Sequence, residues 1–374
     1  PPDYIRRQRQ MCIRDSMSDA LDDILATVRN AMASNEALYI RGGDSKSDLL
    51  GRPGAGRPSA GRALHVSTHT GIVDYHPGEL YLTARAGTSL AEISATLATE
   101  GQELACESPL FDGQATLGGS LACNLSGPGR PWRGSIRDLA LGVQLINGRG
   151  ELLRFGGKVV KNVAGYDVTR LQAGALGTLG VLTEVTLKVL PRPEHSLTLA
   201  FELDAAAALH KVNQLAGQPK PLCGACWIDG RLYLRLAGAA SAVSHTAELW
   251  GGETSPGADR VWEDLREMRL PFFNGSETLW RYSGSSSVPV SEAFGPGLID
   301  WGGAQRWFRG DLDQDALAGW ARQGHGHITR YRASDQQGMD GNCVNAMQRG
   351  IQQRLKRAFD PQGLFNPNHL YSAG

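Results

Sequence analysis

The sequence predicts an α+β chain folded as two domains. Three observations carry this. Apolar runs of strand length alternate with stretches of helical periodicity through most of the 374 residues. The pair Asn147-Gly148 joins two apolar runs in "DLALGVQLINGRGELLRFGG", a hairpin signal. Beyond Pro191 and Pro193 the texture changes, and "PRPEH" reads as a linker. At roughly 100–200 residues per domain, the length suits two cores.

Taken in order, residues 1–16, "PPDYIRRQRQMCIRDS", are basic and lack the apolar run of a secretory signal. They differ in character from the rest of the chain and are expected to be a translated scar foreign to the fold, with Met17 as the start. "SDALDDILATVRNAMASN" is a helix capped by Ser18, with Leu21, Ile24, Leu25 and Val28 at helical spacing. "ALYIRGG" is a strand ending in a glycine pair, and Gly51–Arg62 is a Gly/Pro-rich loop. "ALHVST" and "LYLTARAGT" are strands. "TSLAEISATLATEG" is a helix with Thr88 near its N-cap and Gly101 at its end. Residues Phe111 to Gly134 are glycine-rich and irregular, and the hairpin comes next. "KNVAGYDVTRLQAGALGTLGVLTEVTLKV" then places Gly165, Gly174, Gly177 and Gly180 before an apolar, β-branched run. In the second half, strands "SLTLAFEL" and "RLYLRLAG" alternate with helices "AAAALHKVNQLAG" and "VWEDLREMRL". The chain closes on "IQQRLKRAFDPQGLFNPNHLY", a basic helix end and two Pro-containing turns.

Composition narrows the function. With 38 basic and 38 acidic residues the formal charge is zero, so neither nucleic acid nor an anionic membrane is expected as the main partner. No apolar stretch reaches the roughly 18 residues of a membrane helix. Six scattered cysteines do not make a disulfide framework, and a reduced, cytoplasmic setting is expected. Cys223 and Cys226 form the lone close pair, and without a second such pair they read as small apolar strand residues; no metal site is expected.

Glycine stands high, at 47 residues, without a collagen period. The common nucleotide motifs fail on spacing: "RGGDSKS" is not a Walker loop, and "GALGTLG" is not the Rossmann fingerprint. Three glycine-rich segments can still converge on one ligand. "RGGDS" comes after a strand, where successive N–H groups can cradle an anion. "ATLGGSLACNLSGPGRPWRGS" carries Gly118-Gly119, with Ser120, Asn124 and Ser126 as small hydrogen-bonding residues. "GYDVTRLQAGALGTLG" is the third. Each alone reads as an ordinary turn.

The series "YIRGGDS", "ARAGTSLAEISATLATEGQ", "ATLGGSLACNLSGP", "IRDLALGVQLINGRGELLRFGG" and "KNVAGYDVTRLQAGALGTLGVLTEVTLKV" resembles, in order, the FAD-binding domain of the vanillyl-alcohol oxidase/para-cresol methylhydroxylase flavoprotein family. "FDPQGLFNP" is also typical of it. Within that family, "LSGPGRPWRGSIRD", "KNVAGYD", "LWRYS" and "DWGGAQRW" are similar to the FAD-binding subunits of glycolate oxidase (dehydrogenase). The resemblance implies a two-lobed FAD-binding domain over residues 17–192. A smaller α+β cap would cover 193–374, its terminal segment returning to the FAD domain. It implies that Arg41, Gly42, Gly43, Asp44 and Ser45, with Thr116, Leu117, Gly118, Gly119 and Ser120, line the FAD diphosphate. It further implies that Ala86, Gly87 and Thr88, with Gly177, Thr178, Gly180 and Val181, meet the adenine–ribose half and the flavin. Gly165 and Tyr166 would lie near the isoalloxazine. Some relatives attach the flavin through a His just after the first glycine pair; Asp44 and Ser45 stand there, so FAD is expected to be non-covalent. Gly180→Val is then expected to abolish flavin retention, and Gly150→Ala to spare it.

The implied activity is oxidation of glycolate to glyoxylate, with electrons passed onward. The implied partners are a homologous larger flavin subunit and an iron–sulfur subunit, and any membrane association would be made through them. A self-sufficient FAD-dependent D-lactate or 2-hydroxy-acid dehydrogenase and a non-catalytic assembly subunit remain as alternatives. Oxidising a 2-hydroxy acid needs a carboxylate anchor and a base. Arg281 in "LWRYS" is the candidate anchor. His325 and His327, an H-x-H pair expected on one strand face, are the candidate base or metal ligands, against a purely structural role. Lys158 and Lys161 flank the flavin segment, as cations near the flavin or as solvated surface lysines. Trp280, Trp301 and Trp307 read as core or interface aromatics.

Overall fold

The computed structural model describes residues 20–46, 61–158, 166–254, 257–332 and 346–367. Residues 1–16, Met17, Ser18, most of the Gly/Pro loop, Lys161 and Gly165 lie outside the described residues.

The N-terminal half is built on a five-stranded antiparallel sheet. Its order is Ile72–His76, Tyr81–Arg85, Val181–Lys188, Ala140–Ile146 and Leu152–Gly156. Val181–Lys188 is central and loses the alternating pattern because both its faces are covered: Val181, Leu182, Val185 and Leu187 are all buried. Helix Leu90–Ala98 packs Leu90, Ile93 and Leu97 into the same core, each fully buried. A buried Leu or Ile of this kind contributes roughly 1.5–3 kcal/mol. The helix starts at Ser89, whose hydroxyl accepts from the Glu92 amide; Thr88, one residue earlier, is buried and its hydroxyl accepts from the Gly71 amide.

The expected hairpin forms, Ile146 pairing with Leu152, but its turn is five residues long. The Asn147 side chain accepts from the amides of Arg149 and Glu151, and Gly150 at φ +68° closes the loop. The side-chain oxygen of Asn147 thus acts in place of a tight two-residue turn.

A second, parallel pair, Leu38–Arg41 with Arg62–His65, lies beside helix 20–34. Ile24, Val28 and Ala31 on one helix face pack with Leu38, Ile146, Val181 and Phe365. The chain's last described segment joins this pair. The Leu38 amide donates to the Leu364 carbonyl (2.7 Å), and the Asn366 amide donates to the Leu38 carbonyl (2.9 Å).

The second half carries a seven-stranded antiparallel sheet. The order is His195–Glu202, Arg231–Gly238, Leu222–Ile228, Leu298–Asp300, Gln305–Arg309, Leu279–Ser283 and His327–Arg332. Side chains alternate between its faces. Trp280, Tyr282, Phe308 and Ile328 face helix Gln314–Gln323 and pack on Leu317, Trp320 and Ala321. Leu279, Trp307 and Tyr331 take the other face. There they share one apolar cluster with Phe111, Cys123, Leu125 and Leu176 of the N-terminal half.

Polar contacts also join the halves, among them the following. The buried Glu267 carboxylate accepts from the amides of Leu110 (3.1 Å) and Phe111 (2.7 Å). Arg235 pairs with Glu107 at 2.7 Å, and Glu107 also accepts from the Gly129 amide. Both hold a segment where Glu107, Phe111 and Asp112 adopt positive φ of 49°, 45° and 55°. Such backbone persists in non-glycine residues only where its surroundings fix it.

Candidate functional site

The three glycine-rich segments meet in one cleft that is partly open to solvent. The first wall is Gly42, Gly43, Asp44, Ser45 and Lys46, just after the strand that ends at Arg41. The floor is Gly118, Gly119, Ala122 and Cys123, with Thr116 at its edge. The second wall is Leu176, Gly177, Gly180 and Leu182; Val66 and Ala86 complete one end, and Asn366 lines the cleft beside the Gly177 turn.

The glycines are required chiefly by contact between these segments. A Cβ on Gly43 would stand 1.7 Å from the Gln114 carbonyl oxygen, and one on Gly42 would stand 2.5 Å from Thr116 Oγ1. On Gly118 it would meet Ala86 Cβ at 2.8 Å; on Gly177, already at φ +70°, it would meet Asn366 Nδ2 at 2.6 Å. At these four positions the neighbouring segment leaves no room for a side chain, so the segments pack directly on the glycine backbone.

The two glycine pairs differ in what they offer a ligand. Among the described residues, nothing accepts from the backbone amides of Gly42, Gly43, Asp44 and Ser45. Asp44 turns at φ +52°, which makes this wall a concave row of N–H donors, suited to an anion. Lys46 adds a buried ammonium against the Phe111 ring, 5.5 Å from its centroid. On the floor the donors are already taken: the Leu117 amide donates to Thr88, Gly118 to Ala86, Gly119 to Thr116 Oγ1 and Ser120 to Thr116. Of residues 116–120, expected to line the FAD diphosphate, Thr116, Gly118 and Gly119 line the cleft, while the amides of 117–120 are engaged within the protein. They supply shape.

Several expected cofactor-binding residues do not line the cleft. In helix Leu117–Cys123, positions 118, 119, 122 and 123 share the cleft face, while Leu117, Ser120 and Leu121 turn into the core. In the strand after Gly180, Leu182 faces the cleft and Val181 packs against Leu38 and Phe365. Thr178 is buried, its hydroxyl donating to the Ala175 carbonyl. Gly87 and Thr88 lie behind Ala86, where a Cβ on Gly87 would meet the Val66 carbonyl oxygen at 2.2 Å. Arg41 points outward to Asp44 at 2.8 Å. Tyr166 is 95% exposed, outside the lining. Lys158 is paired with Asp74 on the sheet edge, also outside it. Lys161 and Gly165 cannot be compared, lying outside the described residues.

Sequence reasoning missed Lys46, Ala122, Cys123, Leu182 and Asn366. Helical spacing from Gly118 points to Ala122, and strand alternation from Gly180 points to Leu182. Asn366 lies in "FDPQGLFNP", the segment expected to return to the FAD domain, but nothing in that motif picks out the Asn as a cleft residue.

Arg281 lies on the cap-sheet face that carries Trp307 and Tyr331, the face toward the N-terminal half. Arg281 lies between Trp307 and Thr329 in register, and its guanidinium is 5.2 Å from the Tyr331 ring centroid and 6.0 Å from that of Trp307. Among the described residues no carboxylate pairs with it, and its Nε has no acceptor. Desolvation, with a further push from Arg130, holds its pKa below the ordinary guanidinium value. Tyr331 sits in the same cluster as Cys123 and Leu176, which line the cleft. His327 opens the last strand opposite Ser283, and desolvation and then the Arg281 charge hold its imidazole below its ordinary value. His325 corrects the expectation of an H-x-H pair on one face. It lies in the preceding turn at φ +50°, off the strand, and among the described residues no His/Cys/Asp/Glu group forms a metal site. Trp280 and Trp307 are buried, and Trp301 Nε1 donates to the Gly127 carbonyl across the two halves.

Comparison with known proteins bears on both regions. Residues 19–156 match the family model described as FAD binding domain. Over 350 residues, 93% of this chain and 97% of the relative, the sequence is 44% identical to glycolate oxidase subunit GlcE of Escherichia coli (strain K12). Over 96 residues, 25% of this chain and 20% of the relative, it is 42% identical to glycolate oxidase subunit GlcD of Bacillus subtilis (strain 168). Among solved structures, an alkyldihydroxyacetonephosphate synthase aligns over 92% of this chain and 75% of its own, with TM-score 0.65 and 15% identity. That likeness shows the fold, which is the vanillyl-alcohol-oxidase type of FAD-binding architecture.

Proposed function

The chain belongs to the family of the glycolate oxidase subunit GlcE, and from that membership we propose that it is the FAD-binding subunit of a multi-subunit enzyme oxidising glycolate to glyoxylate. The observation that carries the proposal is the cleft itself: three glycine segments, distant in sequence, meeting around a row of unused backbone donors. The amides of Gly42–Ser45 and the Lys46 ammonium would hold the negative diphosphate of FAD. Ala86, Gly118, Gly119, Gly177 and Gly180 would bound its flat parts with backbone alone. Asp44 and Ser45 come directly after the glycine pair, and no histidine is among the described residues lining the cleft, which supports non-covalent attachment.

FAD, when bound, supplies the acceptor for the two electrons released as the alcohol becomes a carbonyl. The chain's own residues supply binding and proton handling. Arg281 is desolvated, stacked and without an acidic partner, so a substrate carboxylate would complete it with a charge-assisted pair. Trp307 and Tyr331 fix the guanidinium plane and keep water from it. His327, held toward its neutral form, is suited to accept the hydroxyl proton. His325 has no place in this proposal, since it lies off the sheet face.

By the same membership, the partners proposed are a homologous larger flavin subunit and an iron–sulfur subunit. The proposed location is the cytoplasm, with any membrane contact made through partners. Among the described residues no helix is long and apolar enough to cross a membrane. Anaerobic mixing of the purified chain with glycolate, alone and with its co-purified partners, tests the proposal. Bleaching of the flavin only in the complex supports the subunit role. Full turnover by the chain alone with an artificial acceptor would favour a self-sufficient dehydrogenase instead, and a chain that takes up no flavin would leave an assembly role.

A further inference from the structure

We propose that the C-terminal segment 356–366 is a positioning device for the FAD site, in which Lys356 and Asn366 set the spacing between the two walls of the cleft. The inference rests on the FAD reading of that cleft and adds residues far from the glycine-rich segments.

Asn366 lines the cleft and is 4% exposed. Its side chain bonds to both walls at once. Oδ1 accepts from the Ile40 amide at 2.8 Å, just before the Gly42-Gly43 pair. Nδ2 donates to the Leu176 carbonyl at 2.7 Å, at the Gly177 turn. The residue itself stands at φ +42°, a left-handed conformation that asparagine tolerates better than most residues. Its amide group is also what excludes a side chain at Gly177.

Lys356 grips the same turn from behind. Its Nζ donates to the Thr178 carbonyl (2.8 Å), to the Phe365 carbonyl (2.8 Å) and to Asp360 Oδ2 (2.5 Å). An ammonium has three protons, so these bonds use all of them. Burial lowers its pKa, and the Asp360 carboxylate opposes that fall. Asp360, 1% exposed, in turn accepts from the Leu364 and Phe365 amides at 3.0 and 2.8 Å, and the Gly148 amide donates to the Phe359 carbonyl. The segment is thus tied to the hairpin, to the first wall and to the second. It spans what neither wall can fix alone, because the Leu176–Gly180 turn carries positive φ at Leu176, Gly177 and Gly180 and has few internal bonds.

The test is FAD affinity of the full chain. Apo-protein of the wild type, Asn366→Ala, Asn366→Asp and Lys356→Met is titrated with FAD, using quenching of flavin fluorescence as the signal, and each apo-protein is melted without FAD. Asn366→Asp keeps the acceptor for Ile40 and removes the donor to Leu176, so it stays informative if Lys356→Met folds poorly. The expected result is a rise in Kd of roughly tenfold or more in Asn366→Ala and Asn366→Asp, exceeding what any loss of apo stability explains. A merely structural role lowers the apo melting temperature and leaves Kd unchanged; that result overturns the inference. A wild type that binds no FAD overturns the FAD reading and this inference with it. Wild-type binding with unchanged Kd in all folded variants overturns this inference alone.

Discussion

Replacing Gly43 with alanine should nearly abolish FAD binding while Gly78→Ala leaves it intact. The added Cβ would lie 1.7 Å from the Gln114 carbonyl oxygen and 2.9 Å from its carbon. Real Cβ atoms do not approach within 3.0 Å, so the first wall and the 114–119 segment must separate by about 1.3 Å, the difference of those two distances. The obstacle is backbone on both sides, so no side-chain rotation relieves it. Overpacking of this kind costs about 1–3 kcal/mol, and the amides of Gly42–Ser45 move with the wall. A loss of about 3 kcal/mol in binding corresponds to roughly a 100-fold rise in Kd. Gly78 is the matched control, because nothing lies within 4 Å of its added Cβ. Gly150, suggested as a control by the sequence, is less suitable, since it sits at φ +68° and its Cβ would touch Arg29. Fluorescence titration of apo-protein with FAD measures the effect. Binding by Gly43→Ala within a few-fold of wild type would show that this wall does not position the cofactor.

Gly180→Val should likewise lose flavin, because its Cβ would lie 2.8 Å from the Ile146 carbonyl oxygen at a backbone φ of +155°; flavin-to-protein absorbance after purification reports it. Arg281→Met should raise KM for glycolate by roughly 100-fold in the assembled enzyme with flavin content unchanged, since truncating a desolvated charge pair costs about 2–5 kcal/mol; steady-state kinetics with a flavin spectrum decides it, and unchanged KM removes Arg281 as the anchor. Glu267→Ala should lower stability by about 1–3 kcal/mol by leaving the Leu110 and Phe111 amides unsatisfied, read by denaturant melts. Asp300 is 2% exposed and burial pushes its carboxyl up to about 7. Its folded pKa is above its unfolded one, so the unfolded state releases the proton first and stability falls as pH rises from about 4 toward 7. Asp300→Asn should therefore gain stability over wild type across that window, levelling above pH 7 at up to about 4 kcal/mol; pH-dependent melts that run parallel for the two proteins would contradict it.

Much of the cleft was legible because glycine carries its own geometric meaning. Gly42, Gly43, Gly118, Gly119, Gly177 and Gly180 all line it. The physical reason differs from the one the sequence suggests: most of these glycines let one wall pack on another, rather than each clearing space for a ligand. Leu117, Ser120 and Val181 were implied by the resemblance as parts of whole segments; they belong to the right segments but face the core. The apolar run Val181–Lys188 was recognisable as a buried strand because two-sided burial leaves no polar alternation. Arg281 was recognisable as a cation in an aromatic strand, but not its lack of a partner, which depends on three strands meeting. His325 was misplaced because a turn residue at positive φ breaks the two-residue repeat just before the strand begins. Asn366 and Lys356 were invisible for a simpler reason. Their partners Ile40, Leu176 and Thr178 are far away in the chain, and only the folded return of the C-terminal segment brings them together.

Quantifying flavin in the purified wild-type chain, before and after acid precipitation, decides whether this cleft is an FAD site and how it holds the cofactor. The expected result is a yellow protein with about one FAD per chain, released into the acid supernatant. A colourless chain that takes up no FAD on titration would contradict the site, and colour retained in the acid pellet would contradict its non-covalent character.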